Sequence, residues 1–207
     1  MYSMEYNLPN RKEVSKKFLV DLYINKKKSS AQIARYFKCS QNKINYWLNK
    51  YDISKRDISE AVYQMKNPNG DPFNQTHPRT LADGILFGLG LGIYWGEGLK
   101  RGKGGLRLTN TDSKMIKKFI DFLVKFYKID RNKLRFSIQI FKDINSTDAL
   151  NYWCKELCVK KEQFYKTIIS KVRGEGTYKY RSEHGVIIVY FNNVKLKKLI
   201  TETLEKL

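Results

Sequence analysis

The chain has 207 residues, 42% of them hydrophobic, including 14 Tyr and 11 Phe. That is room for one or two domains with real cores, and it excludes a disordered tail. Forty Lys+Arg against 20 Asp+Glu give a formal charge of +20 and a pI near 9.8, which points to a polyanionic partner, nucleic acid before an anionic membrane.

The excess charge is spread out, with 14 basic and 7 acidic residues over 1–71 and 26 and 13 over 72–207. The polar opening residues do not read as a secretory signal. The longest apolar run, Gly84 to Trp95, has 12 residues, too few to span a bilayer. Three cysteines cannot all pair, so a reducing, cytoplasmic compartment is expected. Cys154 and Cys158 are spaced to share a helical face and read as two buried small residues. Only His77 and His184 are available, which leaves zinc without a familiar ligand spacing; His184 reads as a surface turn residue.

In chain order, residues 13–51 show three short helical patterns. Phe18, Leu19 and Leu22 form the first apolar face, ending at Asn25-Lys-Lys-Lys28. Ser29-Ser30 can cap Ala31–Phe37, and Ser40 can cap Gln41–Lys50. In the third helix Ile44, Trp47 and Leu48 face inward, leaving Gln41, Asn42, Lys43, Asn45, Tyr46 and Asn49 outside. Ser30, Ile33-Ala34, Phe37, Ser40, Ile44 and Trp47-Leu48, with Tyr51-Asp-Ile53 after them, resemble a helix-turn-helix of the resolvase or transposase type. Small Ala34 and the short turn let two helices cross closely. The resemblance implies double-stranded DNA as partner. Asn and Gln can pair with adenine edges, and Lys43 can reach guanine or phosphate. The alternative is a three-helix protein-binding module with a solvated polar face.

Residues 54–66 read as a further helix. The Pro-rich segment 67–79 reads as a linker between a domain over 1–66 and one over 80–207. Thr80 can cap the next helix, which carries Gly84, Gly88, Gly92 and Gly96 at spacing four. Each costs roughly 1 kcal/mol relative to Ala, so close approach of a second helix is the expected compensation, delivering Glu97 at the end of the seam. The alternative is a helix packed on its own sheet. Tyr94-Trp95 reads as core rather than as a base-stacking platform.

Beyond Gly98 lies a basic Gly-rich turn, with Lys100, Arg101, Lys103 and then Arg107 expected to touch phosphate or form a solvated loop. Leu106–Asn110 alternates as a strand. A helix follows Thr111-Asp112, with Met115, Ile116, Phe119, Phe122, Leu123 and Phe126 inward. Lys133–Phe141 alternates strictly, placing Arg135 and Gln139 on its polar face. A helix over about 147–158, strands over 164–173 and 185–191, and a helix over 194–207 complete an α+β domain with a mostly antiparallel sheet.

The run Gly90-Leu-Gly-Ile-Tyr-Trp-Gly-Glu-Gly98 resembles the signature helix of LAGLIDADG-type homing endonucleases, with Gly92 on the central glycine and Glu97 on the terminal acid. The resemblance implies a homodimer through the Gly84–Gly96 helix and sheet strands in the major groove. It also implies Mg2+ held at Glu97 and Gly96 for phosphodiester hydrolysis. That chemistry needs carboxylates for metal and a cation for the phosphate; a second copy would supply the second acid across a twofold axis. Lys171, Arg173, Lys179 and Arg181 are the candidates for the charge-stabilising catalytic role, with Lys171 taken first. Trp95 departs from the small or polar residue usual there, and the helix near 147–158 departs from the simple element order. The alternative function is a non-catalytic DNA-binding regulator or mobile-element accessory protein on the same domain.

Overall fold

The computed structural model describes residues 14–102, 104–170 and 183–206. The chain divides into two compact units, Met1–Asp71 and Pro72–Leu207, with the division inside the Pro-rich segment.

In the first unit, α1 (Lys16–Leu19) runs into a π-helical turn (Val20–Asn25), followed by α2 (Ser30–Tyr36), α3 (Gln41–Lys50) and α4 (Ile58–Lys66). Ser29 and Gln32 form a capping box at the start of α2, and the Ser40 hydroxyl accepts from Lys43 N at 3.3 Å at the start of α3. Lys38 turns the chain between them in the left-handed region (φ 49), and Cys39 N donates to Ala34 O at 2.9 Å. Leu19, Tyr23, Ile33, Ala34, Ile44, Trp47 and Leu48 form one core. Residues 54–57 are not helical, contrary to the reading of 54–66 as one helix. Asp57 instead caps α4, accepting from Glu60 N at 2.8 Å. Asp outside a helix satisfies an orphan N–H that it would compete with inside one.

The second unit is α+β. Its elements are α5 (Leu81–Glu97), β1 (Leu106–Asn110), α6 (Ser113–Tyr127), β2 (Arg135–Phe141), α7 (Ser146–Leu157), β3 (Ile168–Ser170), β4 (Val186–Phe191) and α8 (Val194–Leu204). The sheet order is β1-β4-β2-β3. β4 pairs antiparallel with both β1 and β2, whereas β3 runs parallel to β2, so the sheet is mixed. The interposed α7 is the reason: a helical crossover returns the chain in its original direction. Phe164 to Thr167, read as strand, lie outside β3; Phe164 makes a single bridge to Phe136.

Leu106, Leu108, Phe136, Ile138, Ile140, Ile187, Val189 and Phe191 alternate onto one sheet face and join buried residues of α5, α6, α7 and α8 in one core. The opposite parity carries Arg107, Thr109, Arg135, Ser137, Gln139, Ile188 and Tyr190, of which Ser137 and Ile188 are buried. Two cysteine expectations fail. Cys154 is only half-buried, and Cys158 is exposed, because α7 ends at Leu157 and Cys158 takes the left-handed cap position (φ 50). His184 lies in a turn but is half-buried, stacked on Tyr152 at 3.7 Å, while its carbonyl accepts from Trp153 Nε1 at 2.9 Å. Among the described residues, no helix is long and apolar enough to cross a membrane.

Candidate functional site

α5 begins with a reciprocal cap. The Thr80 hydroxyl accepts from Asp83 N at 3.1 Å, and the Asp83 carboxylate accepts from Thr80 N and Arg79 N. Lys125 of α6 forms an ion pair with the same carboxylate. The hydrogen bond from Lys125, then that from Arg79 N, hold the Asp83 pKa down at about 2.

The helix then shows two different glycine faces. Gly90 meets α6, where a Cβ would lie 2.6 Å from Phe122 Cβ and clash with its ring. Beside it Leu91, Ile93 and Tyr94 are buried, and Tyr94 stacks on Phe119 with 5.8 Å between centroids. Burial lifts the Tyr94 pKa to about 12, and its hydroxyl donates to Leu99 O at 3.2 Å.

Gly84, Gly88, Gly92 and Gly96 lie elsewhere. All four are exposed, and a Cβ on any of them would meet nothing within 4 Å. The alternative that they pack the helix on its own sheet therefore fails; among the described residues, Gly90 is the glycine of this helix that meets α6. Around the bare ridge, Leu81, Ile85, Leu89 and Trp95 are 83%, 63%, 44% and 61% exposed. Trp95 is thus not core, unlike Tyr94 beside it. It shares the outer face because positions 88, 92 and 95 recur at helical spacing.

Glu97 is the last residue of α5 and is exposed. It sits at the negative end of the helix dipole, where an acid is disfavoured and a cation favoured. The final carbonyls are partly used: Tyr94 O accepts from Gly98 N at 2.9 Å, and Trp95 O from the Lys100 ammonium. Just past the helix, Gly98 forms an antiparallel bridge with Leu108 of β1. One carboxylate and adjoining carbonyl oxygens are hard donors of the type Mg2+ takes, but they amount to half a site. Among the described residues no group of three or more His, Cys, Asp or Glu is gathered. A metal there would need at least one further carboxylate beside Glu97.

The loop after Glu97 is fixed at both ends. Leu99 N donates to Arg107 O at 2.9 Å. Lys197 of α8, itself buried, donates to Arg101 O at 3.1 Å and Gly102 O at 2.9 Å. Lys100 and Arg101 are exposed on this loop. Gly105 is required there: a Cβ would lie 2.6 Å from Phe191 O. Lys103, Lys171, Arg173, Lys179 and Arg181 lie outside the described residues.

On the sheet, one row runs Arg107, Tyr190, Arg135 across β1, β4 and β2. The Arg107 guanidinium lies 5.5 Å from the Tyr190 ring centre, and Tyr165 meets that ring edge-on at 5.7 Å. Arg135 donates to Asn132 O at 2.7 Å, and exposed Gln139 donates to Ser170 at 2.9 Å. Tyr190 and Tyr165 were not among the sequence-based candidates. The signal for Tyr190 was available, since it shares strand parity with Ile188 and opposes Val189 and Phe191.

On the first unit, Gln41, Asn42 and Tyr46 of α3 are exposed, and Lys43 and Asn45 half-buried. Gln41 Nε2 donates to Ser30 Oγ at 3.0 Å, bringing the starts of α2 and α3 together.

The chain thus combines a small helical unit bearing one polar helix face with an α+β unit bearing a bare apolar ridge, a terminal acid and a basic sheet row. Comparison with protein-family models, with curated proteins and with solved structures finds no match.

Proposed function

We propose that the protein binds double-stranded DNA as a homodimer joined through α5 and hydrolyses phosphodiester bonds with Mg2+ held between paired Glu97 carboxylates. The observation that carries this reading is the outer face of α5. Four glycines with open space over them lie among four exposed large apolar side chains, and the face ends in an acid at an unfavourable helix terminus. Contiguous apolar surface of that kind marks an interaction site, and the absence of side chains on the ridge fits another helix closely. An isologous pairing of the same face on two copies would bring two acids together. When bound, Mg2+ would polarise the phosphate and lower the pKa of an attacking water. Lys100, Arg101 and Arg107 would hold the phosphate backbone beside it, and Arg135, Gln139 and Tyr190 would face the groove. The first unit would act as a helix-turn-helix, with Gln41, Asn42, Asn45 and Tyr46 meeting base edges and Lys43 phosphate.

Plasmid nicking with Mg2+ or Mn2+ tests the assignment, comparing wild type with Glu97→Gln. Cleavage that disappears in the variant while gel-shift affinity persists supports the nuclease. Binding without cleavage in both proteins supports a regulator built on the same units. Affinity that does not fall with rising salt would refute contact with phosphate altogether.

A further inference from the structure

Arg56 lies just before α4, and among the described residues its partners include no acid. Its backbone N–H donates to the Tyr23 hydroxyl at 3.0 Å. One arm of its guanidinium donates to Lys27 O at 3.2 Å and Gln64 Oε1 at 2.6 Å. The other donates to Lys28 O at 3.0 Å and to Tyr23 O. The guanidinium carbon sits 4.1 Å from the centre of the Tyr23 ring. Three of these acceptors are backbone carbonyls at and beyond the end of the π-helical turn, where helix carbonyls lack intrahelical partners and a cation is favoured. Only the planar fork of Arg spans so many acceptors at once.

This fork fixes an unusual turn. Lys26, Lys27 and Lys28 are consecutive and exposed, and Lys27 is held in the left-handed region at φ 53, which a residue with a Cβ rarely adopts. Lys26 pairs with Asp21 at 3.0 Å, whereas no described acid pairs with Lys27 or Lys28. The turn leads directly into Ser29 and Ser30, and Ser30 is tied to Gln41 at the start of α3. Two residues of chain reach at most about 7 Å, so Lys28 lies within that distance of the serine bonded to the start of α3. The capping box of Ser29 and Gln32 already occupies N–H groups at the head of α2, which leaves the ammonium groups as the anion-binding element.

We infer that Lys27 and Lys28 form a phosphate clamp flanking α3, and that Arg56 is the positioning residue that holds the clamp in shape without touching the nucleic acid. This rests on the reading of the first unit as a DNA binder. The clamp contributes affinity for any sequence, while α3 contributes the choice among sequences.

The test uses the full chain and a mixed-sequence 30-base-pair duplex, with fluorescence anisotropy read across a KCl series. Replacing both lysines (Lys27→Ala with Lys28→Ala) is expected to reduce the slope of log K against log salt by about 1.8 and the affinity at 0.1 M KCl by several tens of fold. Arg56→Met is expected to give a similar loss of slope, and adding it to the lysine pair should change nothing further. An Arg56→Met protein that keeps the wild-type slope removes the positioning role. A lysine-pair variant that keeps it removes the clamp, and both lysines are exposed, so folding does not confound that result. Should Arg56→Met lose helical signal, Arg56→Lys keeps the cation but not the fork, and a smaller loss of slope is expected. Wild-type protein that shows no salt-dependent binding overturns the DNA reading and the clamp together, a result distinct from a wild type that binds and variants that match it.

Discussion

Two glycines two residues apart in α5 should answer the same substitution with opposite sign. At Gly90, Ala would drive a methyl group into Phe122, which is fully buried and hemmed in by the rings of Phe87, Phe119, Phe126 and Tyr127. Overpacking of a dense core costs about 1–3 kcal/mol, and a ring so enclosed belongs at the upper end. Helix propensity returns about 1 kcal/mol, leaving a net loss of about 2 kcal/mol. At Gly88 the new methyl group meets nothing within 4 Å among the described residues, so only the propensity gain of about 1 kcal/mol remains. Urea denaturation of dilute protein measures both. In the proposed homodimer the sign at Gly88 changes with concentration, because each methyl group separates two backbones that lie together. Sedimentation equilibrium should then show Gly88→Ala weakening association while the dilute chain grows more stable. A Gly90→Ala protein as stable as wild type would refute the assignment of faces. Wild-type protein that remains monomeric at every concentration, with Gly88→Ala doing no more than stabilise it, would refute the dimer.

Two further outcomes test the setting of the acid. Lys197→Met removes the ammonium that two loop carbonyls share; amide hydrogen exchange around Arg101 and Gly102 should quicken, with a stability loss of about 1–3 kcal/mol from the stranded carbonyls. The Asp83 carboxyl is held below its ordinary value of 3.8 at about 2, chiefly by Lys125, so its stabilising effect is complete above pH 3.8 and is lost as pH falls through about 2. Thermal unfolding across that window should show an acid-side decline that Asp83→Asn flattens.

The periodic elements were legible because their burial is one-sided. The inward residues expected for α6 are packed in the core, with Met115 at its edge and Ile120 and Tyr127 added to them, and Phe136, Ile138 and Ile140 of β2 face the core as read, although Ser137 between them is buried too. Less visible were features set by partners distant in sequence. The direction of β3 depends on α7 lying between it and β2. Its late start depends on Gln163, whose amide donates to Arg131 O and Leu134 O, and on Tyr165 N, which donates to Phe136 O, fixing the approach before the ladder begins. Periodicity placed Cys154 and Cys158 on one face but could not mark where the helix stops. For the candidate site, spacing alone identified the ridge and the terminal acid. It did not separate Gly90 from its neighbours, because only the position of Phe122 distinguishes a glycine that admits a ring from one with nothing over it. Lys197 reads as one more surface charge until the loop it anchors is seen.

The strand order has a consequence for how the chain matures. β1 and β2 are not neighbours; β4, made after both, is inserted between them and supplies the ladder on both sides. A nascent chain ending before Val186 would carry β1 without its ladder and β2 paired only with the short β3. Such pairing is slow because distant segments must meet first, and the interval is one in which chains aggregate with one another. Ribosome-stalled chains should therefore stay protease-sensitive throughout the second unit until Phe191 has cleared the exit tunnel, and then become resistant in a single step.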